Sequence, residues 1–161
     1  MAGRDVNAQD EIAMYWRAIG SSVDRLLACL AGLSPDELDW RPPADDANSL
    51  AALAVHTMGN VEHRLLAMLC RQDVVRDREA EFRAADTSTE ALGERWHTLR
   101  TRVDEALAEL GEDALDRTVR HPERELATGR EVLLVVARHA AEHAGQAELT
   151  RDLLRHAAGV A

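Results

Sequence analysis

The sequence predicts an all-α protein, a four-helix bundle with long loops between its helices. Apolar residues recur every three or four positions in four long segments, and no segment alternates strongly enough to build a sheet. The chain has 161 residues, 46% of them hydrophobic and 30% charged, which suits one compact domain over residues 1–161. Four long helices in one small domain define a four-helix bundle.

The first two predicted helices are separated by a loop. The first carries apolar residues at helical spacing from Ile12 to Leu30 and ends at Gly32. After a stretch rich in proline and aspartate, Asn48 is predicted to cap the second helix, residues 49–71. This second helix is apolar nearly all round, and such a helix in a small domain needs cover on every face. We therefore expect a homodimer that forms through the second helix.

The third predicted helix follows a charged connection. Thr87 and Glu90 form a capping box at its start, and its apolar stripe ends at Gly111. The segment after it is irregular, with a short extended pair expected around the turn at His121 and Pro122.

The fourth predicted helix carries polar groups where apolar ones are expected. It begins at a second capping box, Thr128 with Glu131, and covers about residues 129–156. At 100° per residue, His139 and His143 lie in the centre of its apolar stripe. Unpaired imidazoles in an apolar core cost about 1 to 3 kcal/mol each, so these two need a partner.

One possible partner is a metal ion. Residues four apart are neighbours on a helix surface, so His139 and His143 can converge on one ion. On the second helix His56, Asn60 and His63 repeat this spacing and share one face. Three neutral histidines from two facing helices suit zinc, nickel or iron. A hydrogen-bonded histidine core satisfies the same pattern, and the residues alone leave both interpretations open.

Composition excludes several other classes of function. The net charge is −10 with acids interleaved among arginines, so no face builds the positive field that nucleic acid or anionic lipid requires. No segment is apolar over the length needed to cross a bilayer, and the N-terminus lacks a signal pattern. We expect a cytoplasmic protein without nucleic-acid or membrane partners. Cys29 and Cys70 are expected to be reduced core thiols.

Three motifs resemble the DinB-like superfamily: NSLAALAVHTMGN on the second helix, RDREAEF after it, and ARHAAEHAGQAELTRDLL on the fourth. This superfamily contains metal-binding bundles related to mycothiol- and bacillithiol-dependent transferases, and the motifs look most similar to a branch without an assigned reaction. The resemblance implies a commonly dimeric bundle, in which a histidine of the second helix joins the last helix's HxxxH pair around one divalent metal. Carried over by residue, it implies His56, His139 and His143 as ligands.

Three histidine ligands leave a coordination position open, as in a catalytic metal site. With the resemblance, this predicts a zinc- or nickel-dependent enzyme, such as a thiol S-transferase that joins a low-molecular-weight thiol to small electrophiles. A metal-dependent hydrolase and a non-catalytic metal or small-ligand binding protein are the alternatives. Asn60 and Gln146 are candidates for orienting a ligand, and His63 for a fourth ligand or base. Arg78 and Glu81 are expected to form a salt bridge that anchors their loop.

Overall fold

The structure, a computed structural model, describes residues 7–121 and 124–159, and only the backbone of residues 121 and 124–126. The body consists of helices α1 (Ala8–Leu30), α3 (Leu50–Val61) with a π-helical continuation (Glu62–Leu69), α5 (Thr89–Ala108) and α6 (Gly129–Ala157). The loops contain the short helices α2 (Pro35–Asp39) and α4 (Arg78–Phe82), and a hairpin of β1 (Thr118–His121) and β2 (Arg124–Thr128) precedes α6. The prediction of an all-α bundle with long loops is therefore confirmed.

Side-chain caps determine where the long helices begin. The capping box predicted before the last helix is present at Thr128. The caps predicted at Asn48 and Thr87 are each one residue early. In both places the serine that follows, Ser49 or Ser88, accepts the hydrogen bond from the third helical amide. A serine oxygen at this position satisfies an amide that has no partner within the helix.

Helix α3 lies at the centre of the bundle. Every one of its residues except Val55 is buried, and it packs against α1, α2, α4, α5 and α6 of the same chain. The cover that the sequence led us to expect from a second subunit is thus provided within one chain. A helix that is apolar on all sides satisfies its need for burial in this central position. Burial of α3 within one chain removes this reason to expect a dimer contact, and the homodimer through the second helix stays a prediction.

The second predicted helix changes its winding after Val61. The amide of Cys70 donates to the carbonyl of Leu65 at 2.9 Å, five residues back instead of four. A π-helical turn holds one more residue than an α-helical turn, and such turns are frequent at functional sites. Side chains after Val61 are therefore rotated away from the face that α-helical spacing predicts for them.

The hairpin joins this π-helical segment to the start of α6. Strands β1 and β2 are antiparallel, with Val119 opposite Ala127, which confirms the predicted extended pair, although Pro122 lies outside the described residues. The guanidinium of Arg117 donates to the carbonyl of Leu69 at 2.6 Å and fixes the hairpin to the end of the π-helical segment. Within the described ranges, no helix combines the length and apolarity needed to cross a membrane.

Candidate metal centre

Three histidine side chains converge between α3 and α6. The Nε2 atom of His139 lies 3.1 Å from Nε2 of His56 and 3.1 Å from Nε2 of His143. One ligand atom from each ring falls within 4.8 Å of the other two. His139 and His143 are one turn apart on α6, and α3 packs across that face with His56. The structure thus brings together the three histidines that the sequence singled out.

The Nδ1 atom of His56, the ring nitrogen that does not face His139, is hydrogen-bonded to a buried ion pair. His56 Nδ1 donates to Glu81 Oε2 at 2.8 Å, and the guanidinium of Arg76 donates to both carboxylate oxygens of Glu81, at 2.7 and 2.8 Å. Burial, the largest influence, opposes ionisation of Glu81, but hydrogen bonds from Arg76 and His56 lower its pKa below the usual value. The ionised carboxylate keeps the proton of His56 on Nδ1, which directs the Nε2 lone pair toward the other two rings.

The Nδ1 atoms of His143 and His139 differ in their hydrogen-bond partners. His143 Nδ1 lies 2.6 Å from Gln146 Oε1, one turn further along α6, and donates to this amide oxygen. His139 Nδ1 is buried and has no hydrogen-bond partner among the described residues. Two of the three rings are therefore oriented by a second hydrogen bond, as is usual for imidazoles that bind metals.

Neutral rings leave one of the contacts of His139 unsatisfied in the absence of a cation. Burial, and then the neighbouring His143 and His56, lower the pKa of His139 to about 3. Burial also lowers the pKa of His56, more than its bond to Glu81 raises it. Because a neutral imidazole nitrogen holds either one proton or one lone pair, His139 Nε2 satisfies at most one of its two contacts. A divalent cation would accept all three lone pairs, so the donor set fits a metal that prefers imidazole.

Helix α4 also covers the outer side of His56. The ring of Phe82 stacks on His56 with 4.3 Å between centroids, and the guanidinium of Arg78 lies 5.0 Å above the Phe82 ring. The predicted salt bridge between Arg78 and Glu81 was wrong, because Arg76 is the partner of Glu81. The RDREAEF motif therefore supplies the charged side chains that orient His56, and it also anchors the loop.

The other predicted site residues lie in three different environments. Gln146 contacts His143, as described above. Asn60, one turn after His56, is buried, and its Oδ1 has no hydrogen-bond partner in the described part of the chain. His63 is not a member of the histidine cluster. It lies in the π-helical segment and lines a separate cavity, because the change in winding removes it from the face of His56 and Asn60.

Glu81 and Arg76 were not recognised from the sequence as parts of a site. They lie in a segment predicted as a charged connection, where acidic and basic residues are usually solvated. The only available signal was a glycine on the apolar second helix, because Gly59 gives the carboxylate of Glu81 room to approach. A Cβ atom at position 59 would lie 2.1 Å from Glu81 Oε1.

Replacement of Gly59 by alanine is expected to displace Glu81 and to disturb the support of His56. Overpacking of this kind costs about 1 to 3 kcal/mol of the free energy of unfolding, measurable by urea denaturation. The matched control is Gly93→Ala on α5, where an added Cβ meets nothing within 4 Å; this variant should be as stable as the parent or more so, because alanine favours a helix. Equal stability of Gly59→Ala and the parent would contradict the close approach of Glu81.

The cysteines are outside this site. Both thiols are free, Cys29 being buried and Cys70 half-buried, in agreement with the prediction. Burial raises the pKa of Cys29, and it raises the pKa of Cys70 to about 11. Both thiols are therefore protonated at neutral pH and are poor nucleophiles.

The fold and the three histidines define a class of protein: a four-helix bundle whose binding site is built in the bundle core by side chains of facing helices. The sequence model described as the DinB superfamily matches residues 19–147, and the chain belongs to this superfamily. A solved structure similar in fold is described as the conserved protein of locus from Enterococcus faecalis. It has a TM-score of 0.73 and 17% identity, over 89% of this chain and 96% of that one. No curated protein matches this chain in sequence.

Proposed function

We propose that this protein is a metal-dependent thiol S-transferase, in which His56, His139 and His143 bind zinc or nickel through their Nε2 atoms. The observation that supports this most directly is the convergence of three Nε2 atoms around His139, with contacts of 3.1 Å that neutral imidazoles cannot both satisfy. Membership of the DinB superfamily supports the same assignment. Three protein ligands leave room for a small molecule at the ion.

A zinc or nickel ion held by these three histidines would supply Lewis acidity, which lowers the pKa of a thiol. The surrounding side chains hold the ligands in place for that purpose. Glu81 and Gln146 accept the Nδ1 protons of His56 and His143, which keeps each Nε2 available. Arg76 keeps Glu81 ionised, and Phe82 stacks on His56 and covers that ring on one face.

The carboxylates of Glu81, Glu62 and Glu142 are all paired, which is compatible with thiol transfer. Hydrolysis commonly uses a general base beside the attacking water. Glu81 is occupied by Arg76 and His56. The acidic neighbours of the histidines in the sequence are paired as well, Glu62 with Arg102 at 2.6 Å and Glu142 with Arg138 at 3.4 Å. Thiol transfer would need no such base, because the ion would lower the pKa of the thiol.

The reaction that we propose forms one carbon–sulfur bond. The sulfur of a small thiol attacks the electrophilic carbon, the leaving group departs with the bonding electron pair, and the thiol proton passes to solvent. The low-molecular-weight thiol is thus a co-substrate, in keeping with the high pKa of the protein's own cysteines.

The test is a turnover assay on protein loaded with zinc or nickel, using mycothiol, bacillithiol or cysteine and a panel of fluorogenic electrophiles. We expect product formation that a chelator abolishes and added metal restores. Ester hydrolysis without thiol transfer would favour the hydrolase instead. Stoichiometric metal without either reaction would favour a non-catalytic binding protein and would overturn the proposal.

A further inference from the structure

A cavity separate from the metal centre lies between the end of the π-helical segment and strand β1. Its volume is about 670 Å³, and none of the three clustered histidines lines it. Its apolar lining consists of Ala67, Met68 and Val119, and its polar lining includes His63, Arg71 and Arg120. Because two arginines and one histidine line it together with apolar side chains, the chemistry of this cavity differs from that of the metal centre.

Among the residues that the structure describes, the two arginines of this cavity have no counter-ion. Neither guanidinium makes an ion pair or hydrogen bond with any described residue. The chain carries 29 acidic residues against 19 basic ones, so acidic partners are plentiful elsewhere on the surface. Two guanidinium groups at one cavity, neither paired with a described residue, provide the planar donors that bind carboxylate and phosphate.

The backbone of Arg71 ends the helix in a conformation that is unusual for a residue with a side chain. Its φ is 58°, in the left-handed region that favours glycine. The helix ends at this point, where the amide of Gln72 donates to the carbonyl of Leu66 at 2.8 Å. Glycine would adopt this conformation with less strain, and strained residues of this kind cluster at ligand sites.

The cavity is built from segments that are fixed to each other. The bond from Arg117 to the Leu69 carbonyl joins strand β1 to the π-helical segment, so the elements that carry Arg120 and Arg71 keep their relative positions. His63 Nδ1 is buried without a hydrogen-bond partner in the described residues. Burial, with the charges of Arg76 and Arg64, lowers the pKa of His63, which leaves a neutral ring beside the two cations.

We propose that this cavity binds a small organic anion. Its carboxylate or phosphate group lies between Arg71 and Arg120, and its short apolar part packs on Ala67, Met68 and Val119. His63 offers a further polar contact. This inference does not depend on the metal or on thiol transfer, since none of the proposed metal ligands takes part.

The experiment is a calorimetric titration of the full chain with butyrate, butyl phosphate and the neutral analogue butyramide. We expect one of the two anions to bind and butyramide not to, with weaker binding at high salt because the attraction is between charges. The anion that binds identifies the group recognised. Binding should fall at least about tenfold in Arg71→Gly and in Arg120→Gln, and stay unchanged in Arg17→Gln, which alters an exposed arginine on α1.

Arg71→Gly separates binding from folding. Glycine relieves the backbone strain at position 71, so the melting temperature of this variant should equal or exceed that of the parent. Loss of anion binding in a variant of undiminished stability cannot be attributed to unfolding. The proposal would be overturned if the parent bound neither anion. It would also be overturned if Arg71→Gly and Arg120→Gln bound the anion as tightly as the parent does, or if the parent bound butyramide as tightly as the anion.

Discussion

Replacement of His139 by alanine is expected to abolish stoichiometric binding of zinc or nickel. Its Nε2 atom is the one that both other rings approach at 3.1 Å, so its removal leaves two imidazoles without a third ligand. Loss of a residue that only supports a ligand already costs 10- to 100-fold in metal affinity, and loss of a ligand should cost more. Metal content after purification and titration with zinc measure the effect.

A thermal shift provides an independent readout of the same prediction. A metal at 100 times its dissociation constant stabilises a protein by about 2.7 kcal/mol, so zinc should raise the melting temperature of the parent and leave that of His139→Ala unchanged. His156→Ala is the matched control, because this exposed histidine lies near the end of the same helix. Parent-like metal content in His139→Ala would show that the three-histidine ligand set is wrong and would favour a hydrogen-bonded core.

Replacement of Glu81 by alanine should cause a large loss of stability. The side chains of Arg76 and Glu81 are only 15% and 7% exposed, and removal of one partner of a buried ion pair costs about 3 to 5 kcal/mol. His56 Nδ1 also loses its acceptor, so metal affinity should fall 10- to 100-fold. Glu81→Gln keeps an oxygen for His56 but loses the charge that faces Arg76, and its stability should be intermediate.

The control for this prediction is Glu79→Ala on the same short helix. Glu79 is 86% exposed and contacts Arg83 at 3.5 Å, an arrangement that contributes little to stability. Urea denaturation of metal-free protein should place Glu79→Ala within about 0.5 kcal/mol of the parent. Similar losses in Glu79→Ala and Glu81→Ala would contradict a special role for Glu81.

The stability advantage of the parent over Glu81→Gln should depend on pH. The pKa of Glu81 is lowered in the folded protein, so the folded state binds the proton less readily than the unfolded chain does. Its contribution is therefore fully present above the unfolded pKa of about 4.3. It is lost as the pH falls through the lower folded value. Denaturation at neutral and acidic pH, with a chelator present, should show this difference shrinking in acid; a constant difference would argue against an ionised Glu81.

The bundle and its histidine pair could be predicted from the sequence because both depend on local spacing. Helical periodicity is repeated over many residues, and the four-residue separation of His139 and His143 places them on one face of any α-helix. The same reasoning failed for His63, because it assumed α-helical winding throughout a segment that is π-helical after Val61. Composition shows that α3 needs cover but not which elements provide it, so the dimer contact stays a prediction.

The sequence by itself determined the four helices and the placement of two imidazoles on one face of the last helix, while the resemblance to the superfamily implied His56 as the third ligand. The helices and the histidine pair follow from periodicity and from the cost of burying polar groups without partners, both of which are readable along the chain. Only the tertiary structure decided what supports the site. Glu81 lies 25 residues from His56 in the sequence, and their contact depends on how α4 folds back over Gly59, which no local pattern specifies.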